Sequence, residues 1–335
     1  MQIFKNPHID YLRWKWPALA LSAVIIVAGL ATIFTRGIPM GIEFAGGTAV
    51  VAGFEQDVSL DRVRDAVNSA FGTESVVHSF GDPAQHQIMI RVPQVGAESG
   101  TALSEVVDKV TAALQSAGLP KFDIPYREAV GPAVGQQLRT QGFWAAVLAL
   151  GGILLYITFR YQFSFAMGAI IATIHDLLVT LAFLAFFQYD LTLNVIAALL
   201  TIAGFSSNDT IVIFDRVREN LRGMRRDSLK EVLNLSVNQT MSRTIITSGT
   251  AMLSAVALYL FGGDVLRGFA FTLIVGMISG TYSTIFIAIA VVSMWRGAGP
   301  LKAAVRAPAA PRSAPPSAPQ QPTRKSKPQR KARAS

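Results

Sequence analysis

Residues 191–220 read LTLNVIAALLTIAGFSSNDTIVIFDRVREN. The first two dozen are apolar enough and long enough to cross a bilayer, which takes roughly 20 residues of helix. Ser206, Ser207, Asn208 and Asp209 interrupt the run before it ends at Phe214. An ionised Asp inside a spanning helix costs at least ~2.5–3.5 kcal/mol on insertion scales. Such a residue needs a partner, water or a proton. Either the helix ends near the headgroups and Asp209 is merely solvated, or Asp209 belongs to an ion or proton site. The polar residues of the other apolar runs favour the second reading.

The whole composition points the same way. The chain is 51% hydrophobic and 15% charged, against about 25% charged in soluble domains. A large part of it therefore faces lipid. The net charge of +9 resembles that of a nucleic-acid binder, but much of it sits in the last stretch of the chain. In a membrane protein such basic segments mark the cytoplasmic side, so no specific nucleic-acid partner is expected. Cysteine is absent, which excludes disulfides, thiolate metal sites and Cys nucleophiles. No nucleophile–base pair, metal-ligand spacing or phosphate loop stands out. The expectation is a non-enzyme with no cofactor and no metal.

Six apolar runs are legible: 17–35, 142–159, Phe163–Phe187, 191–214, 244–261 and 269–295. The first follows a polar stretch, 1–16, that carries Lys5, Arg13 and Lys15. It exceeds the ~7–15 residues of a signal-peptide core and lacks a small-x-small cleavage site. It reads as a retained helix with its N-terminus in the cytoplasm. On that topology Arg160, the loop 215–243 with Arg216, Arg218, Arg222, Arg225, Arg226 and Lys230, and the chain from Arg296 onward share the inner side. The opposite loops offer no basic residue in 188–190 and only Arg267 in 262–268. This asymmetry is the positive-inside rule. It puts residues 36–135 outside, 136–296 in helices 2–6, and both termini in the cytoplasm. The tail, 297–335, is rich in Ala, Pro and Ser and basic at its end, a composition that cannot bury a core. It is expected to be disordered, and either attracts anionic lipid or ribosomal RNA or is simply solvated.

The outer interval has the rhythm of a small α+β domain. TAVVAGF closes a strand in 43–54. Leu60–Phe71 has helical spacing in Val63, Val67 and Ala70, with Ser59 or Asp61 placed to cap it. Residues 75–80 and Gln87–Val92 alternate like strands around the turn signal Gly81-Asp82-Pro83. Residues 101–116 form a second amphipathic helix, and 121–130 a last strand. The order βαββαβ is that of a split-βαβ, ferredoxin-like domain. His78 and His86 are apart and its acids lie on helix faces, so binding or leverage is expected rather than chemistry. Gly131, Pro132 and Gly135 then form a candidate hinge before helix 2, or an ordinary linker.

At about 100° per residue, Asn194, Ala197, Thr201, Gly204 and Asn208 share one narrow face of the 191–214 helix, with Asp209 at its edge. His175 and Asp176 fall near the middle of Phe163–Phe187, out of reach of headgroups. Arg243, Thr247, Thr250 and Ser254 line up in the fifth helix. Gly268, Thr272, Gly276, Ser279 and Ser283 form a small-residue face in the sixth, with GxxxG at 276–280. Packing alone explains the Gly/Ser/Thr stripes. It does not explain the ionisable groups, which in membranes face bundle interiors and mark ion paths. A lone Asp–Arg pair also reads as a structural brace, but an intramembrane His beside an Asp favours proton handling, because imidazole as a group ionises near neutral pH. Asp209, Arg243, His175, Asp176 and Asn208 are the candidate proton-coupling residues. Ionised Asp209 is expected to be stabilised by Arg243, and protonation to release that attraction and repack the helices.

These residues also carry a resemblance. GFSSNDTIVIFDRVREN (204–220) and NQTMSRTIITSGTAML (238–253) resemble the fourth- and fifth-helix signatures of the SecD/SecF family of protein-export membrane proteins, on its SecF side. GIEFAGGTAV (41–50), with Glu43, Gly46 and Gly47, resembles that family's Gly-Gly motif, and ATIHDLLVT (172–180) its third helix. Glu43 replaces an expected Asp, and Phe205 and Ser207 replace a Tyr and an aliphatic residue; no ionisable group is lost. The resemblance covers about residues 10–296 and excludes the tail. It implies a six-helix half of a resistance-nodulation-division-type transporter in the bacterial inner membrane. It further implies pairing with SecD, service to the SecYEG translocon alongside SecA, YajC and YidC, unfolded preprotein as substrate, and use of the proton-motive force. Asp209 and Arg243 match the family's functional intramembrane charges. Half of a small-molecule or lipid exporter and a non-transporting translocon scaffold are the rival functions.

Overall fold

The computed structural model describes residues 8–81, 83–93, 103–224 and 226–296. The expectations for Lys5, the turn position Asp82, Thr101 at the head of the second soluble-domain helix, Arg225 and the tail from residue 297 lie outside those residues. A 3-10 turn, Tyr11–Trp14, leads into α1 (Lys15–Arg36). After a single helical turn, α2 (Ile42–Ala45), come β1 (Gly47–Phe54), α3 (Leu60–Phe71), β2 (Val76–Ser79), β3 (Gln87–Val92), α4 (Leu103–Ser116) and β4 (Phe122–Val130). Five long helices follow: α5 (Pro132–Arg160), α6 (Phe163–Phe187), α7 (Leu193–Gly223), α8 (Leu229–Phe261) and α9 (Gly263–Ser283). The last continues through a π-helical turn, Thr284–Ala288, into α10 (Ile289–Arg296). Among the described residues six helical spans are long and apolar enough to cross a membrane.

The α+β domain has the expected split-βαβ order. Its sheet runs β2-β3-β1-β4, with every neighbouring pair antiparallel. Alternation decides which face is covered. Val50, Ala52, Phe54, Ile88, Ile90 and Val92 pack on Val63 and Val67 of α3 and Val107, Val110 and Leu114 of α4. The opposite face of the two central strands, with Ala49, Val51, Met89 and Arg91, is buried as well. Gly46 and Gly47 enter β1 with φ of 72° and 107°. That region of backbone favours glycine, which explains the paired glycines physically.

Two expectations change at helix ends. Residues 215–243 are not a loop. Helices α7 and α8 run on past their apolar windows, leaving only 224–228 between them. Ser228 and Glu231 form a reciprocal capping box at the start of α8. Asn220 donates to Ser236 at 2.9 Å and Arg216 to Gln239 at 2.6 Å, joining the two polar extensions. Helix α5 likewise starts ten residues ahead of its apolar run. Gly131 caps it, and Pro132 opens it with φ preset for a first turn. The hinge candidates are thus a helix start rather than a linker. A Cβ on Gly135 would meet the Gly46 backbone nitrogen at 3.4 Å.

Two apolar clusters hold the bundle. Phe165, Phe214, Leu229, Leu233 and Ile289 lie in the one remote from the domain. Ala198, Ile202, Ala255, Leu273 and Met277 lie in the one nearer to it. At the remote end Asp10 ties the chain's start to α8, accepting from Lys230 and Asn234, each at 2.7 Å. The hydrogen bond from Lys230 holds the Asp10 carboxyl below the usual carboxylate range.

The small-residue face of α9 lets α7 approach closely. A Cβ at Gly276 would strike the Ile202 side chain, whereas one at Gly151 meets nothing within 4 Å. Overpacking of this kind costs ~1–3 kcal/mol. Gly276→Val is therefore expected to lower the melting temperature of the detergent-solubilised chain, and Gly151→Val to leave it unchanged.

Candidate functional site

The two apolar clusters leave a polar layer between them. Its centre is Asp176, which is fully buried. Its Oδ2 accepts from Ser206 of α7 at 2.5 Å and from Ser283 of α9 at 2.7 Å. Its Oδ1 accepts from Ser279 of α9 at 2.8 Å and lies 3.0 Å from His175 Nδ1. His175 Nε2 lies 2.8 Å from Ser22 Oγ on α1. Ser22 reaches Tyr282 at 3.3 Å, and Tyr282 donates to the Ala18 carbonyl at 2.7 Å. One carboxylate thus joins α1, α6, α7 and α9 in a single network.

Donor counting shows what this network can hold. With Ser22 donating to Nε2, a neutral His175 donates from Nδ1 to ionised Asp176. With Ser22 donating to Tyr282 instead, Nε2 donates to Ser22 and one further proton lies between Nδ1 and Asp176 Oδ1. The two arrangements differ by one proton and by rotation of one hydroxyl. No heavy atom needs to move.

Asp209 is built differently. It is 7% exposed. Thr244 of α8 donates to its Oδ1 at 2.9 Å. Its Oδ2 is buried with no hydrogen-bond partner among the described residues. Hydroxyl pairs flank it. Thr210 meets Thr284 at 3.0 Å, where the π turn begins, and Thr173 meets Ser207 at 3.1 Å. Single π turns inside α-helices frequently mark functional sites.

The expected direct Asp209–Arg243 pair is not formed. Thr244 faces the carboxylate, and Arg243, one step round α8, stands on its exposed side. Among the described residues Arg243 makes no ion pair within 4.0 Å, although its charge still attracts Asp209 through space. Asn208 is exposed too. It belongs to an uncovered stripe of α7 with Asn194, Thr201 and Gly204, beside the exposed Arg243, Thr247, Thr250 and Ser254 of α8. Thr247, Thr250 and Ser254 turn their hydroxyls back onto carbonyls of their own helix, at 3.0, 2.9 and 3.3 Å.

Glu43 lies apart from this layer, in α2. Burial, and then the charge of Glu128, push its carboxyl above the ordinary range. Gly131, Pro132 and Gly135 sit at the start of α5, also apart from the buried acids. The sequence reading treated Ser279 and Ser283 as packing, yet both hold Asp176. It passed over Ser22 and Tyr282. Ser22 is the one hydroxyl in residues 17–31 of an otherwise apolar run, which was the available signal.

Six crossing helices, an inserted ferredoxin-like domain and acids buried in mid-bundle define a polytopic α-helical membrane protein. Residues 109–298 match the family model described as protein export membrane protein SecD/SecF, C-terminal, and residues 31–58 match that of the SecD/SecF GG motif. Protein translocase subunit SecF of Pseudomonas aeruginosa is 44% identical over 289 residues, covering 86% of this chain and 91% of that one. The subunit of the same name from Escherichia coli O157:H7 is 37% identical over 282 residues, covering 83% and 85%. Among solved structures, SecDF of Thermus thermophilus, a translocon-associated membrane protein, superposes with a TM-score of 0.76 at 32% identity. That match covers 87% of this chain, which spans only 39% of the SecDF chain. A SecDF structure in a super-membrane-facing form gives a TM-score of 0.62. The chain belongs to the SecD/SecF family of protein-export membrane proteins.

Removing the Asp176 carboxylate would strand the donors that converge on it, and each buried polar group left unsatisfied costs ~1–3 kcal/mol. Asp176→Ala is expected to destabilise the bundle by several such increments, read as a lower melting temperature in detergent. Asp209→Ala, which strands one hydroxyl, is expected to lower it far less.

Proposed function

We propose that this chain works as the SecF half of a SecD–SecF accessory to the SecYEG translocon. In this reading it uses the proton-motive force to promote preprotein movement and release on the periplasmic side. The observation that carries the reading is the second oxygen of Asp209, buried in mid-bundle with no hydrogen-bond partner among the described residues. At Asp176 both oxygens already accept hydrogen bonds, so a proton placed on that carboxylate itself would displace a donor. The open Asp209 oxygen can take one without breaking the Thr244 bond, and the carboxylate then loses its attraction to Arg243.

The exposed stripe of α7 and α8 supports pairing with a second membrane subunit. Hydrocarbon cannot satisfy Asn208 or the Arg243 guanidinium. A facing bundle with polar groups can, and SecD is the partner proposed for it. The basic residues Arg160, Arg216, Arg218, Arg222 and Lys230 gather at the end of the bundle remote from the domain. By the positive-inside rule that end and both termini are cytoplasmic, in the bacterial inner membrane, and the α+β domain is periplasmic. There it meets unfolded preprotein. No cofactor or catalytic step is needed, because one charge crossing 100 mV supplies about 2.3 kcal/mol.

If that step is lost, a gradient-driven rate falls by a factor of roughly 50 when the whole 2.3 kcal/mol is expressed in it. Asp209→Asn is expected to reduce gradient-dependent export in membrane vesicles on this scale, with the amount of assembled complex unchanged. Undiminished gradient-dependent export by this variant would reject the reading.

A further inference from the structure

The domain joins the bundle covalently at two places only, through residues 37–41 from α1 and through Gly131 into α5. A third attachment is not covalent. The short turn between α6 and α7 is capped on both sides. Gln188 ends α6 in the left-handed region, and Thr192 accepts from the Val195 backbone N–H at 3.2 Å to start α7. From this turn the Asp190 carboxylate binds the guanidinium of Arg91 on β3 and lies 3.7 Å from Nε2 of His78 on β2. Arg91 also donates from Nη1 to the Met40 carbonyl at 2.6 Å. The backbone repeats the attachment: Leu191 N donates to Pro39 O at 2.7 Å, and Gly41 N to Leu191 O at 2.8 Å. The paired side chains are 11% (Arg91) and 15% (Asp190) exposed.

We propose that Asp190 is the coupling residue of this protein, the point at which α6 and α7 grip the α+β domain and carry it with them. The proposal deepens the function given above and rests on its premise that Asp209 on α7 takes up and releases a proton. Asp176 lies on α6 and Asp209 on α7, so the turn closed by Asp190 is the direct connection from both acids to the domain. The helix start at Gly131 cannot serve in its place, because α5 carries neither acid. A cleft of about 550 Å³ lies beside the grip, between the sheet face and the domain-side turns of the bundle. It gives the domain room to rock. Glu43, Tyr126, Glu128, Tyr189 and Arg267 complete its charged and phenolic lining.

Neutralising one member of a mostly buried ion pair strands the other, which favours separation of the surfaces. The test uses the full chain in membranes with its partner subunits. The natural sequence has no cysteine, so Ser79→Cys and Gln188→Cys, both in the cleft lining, supply the only thiols of this chain. With the grip intact a flexible bis-maleimide long enough to span the cleft is expected to bridge the pair. Asp190→Asn should slow cross-linking several-fold and lower export. Exchanging the charges, Asp190→Arg with Arg91→Asp, should restore both. Unchanged cross-linking in Asp190→Asn overturns the proposal. So does an exchanged pair that remains as loose as the single variant. If Asp209→Asn leaves export intact while Asp190→Asn still loosens the domain, the grip stands and the proton reading falls.

Discussion

A carboxylate inside a helical bundle is held only if donors surround it, and Asp176 meets that requirement by drawing on three other helices. Ser206, Ser279 and Ser283 reach it from α7 and α9, and His175 carries the connection to Ser22 on α1. Lipid gives helices no hydrophobic reason to prefer one another. Directional bonds to a buried charge therefore do what oil–water separation does in a soluble core: they select which faces meet. The glycines of α9 then follow as a consequence, since hydroxyls on α7 reach Asp176 only if the two helices come close.

Asp209 shows the opposite design within the same layer. One oxygen is bonded and one is open. In the proposed function the first acid organises and the second changes state. Both lie on the pair of helices whose connecting turn grips the α+β domain. Local chemistry in mid-bundle thus has a short mechanical route to the domain. The remote cluster around Phe165, Phe214 and Leu233, with the Asp10 attachment, fixes the far ends of the same helices. In the proposed coupling, a shift in the polar layer is accordingly expressed at the domain end.

Much of this was legible in the residues themselves. The six apolar runs map onto the six membrane-length helices among the described residues, the βαββαβ rhythm matches the strand and helix order, and the conspicuous ionisable groups His175, Asp176 and Asp209 are buried. Helix ends were less legible because hydropathy reports lipid contact, while helices end where caps stop them. Ser228, Glu231, Gly131 and Pro132 set those limits and are polar or small. The side chain facing Asp209 was misread for a related reason. Charge suggested Arg243, but about 100° of helical rotation gives the contact to the unremarkable Thr244. Ser22, Tyr282 and Asp190 act only through residues far away in the chain, and no local pattern announces that.

The central claim is that the open oxygen of Asp209 takes up a proton as the complex works. Infrared difference spectroscopy on the reconstituted complex, with and without an imposed proton gradient, tests it most directly. The account predicts a carboxylic-acid stretching band that changes with the gradient and is missing from Asp209→Asn. A difference spectrum in that region identical in the wild type and in Asp209→Asn would contradict it.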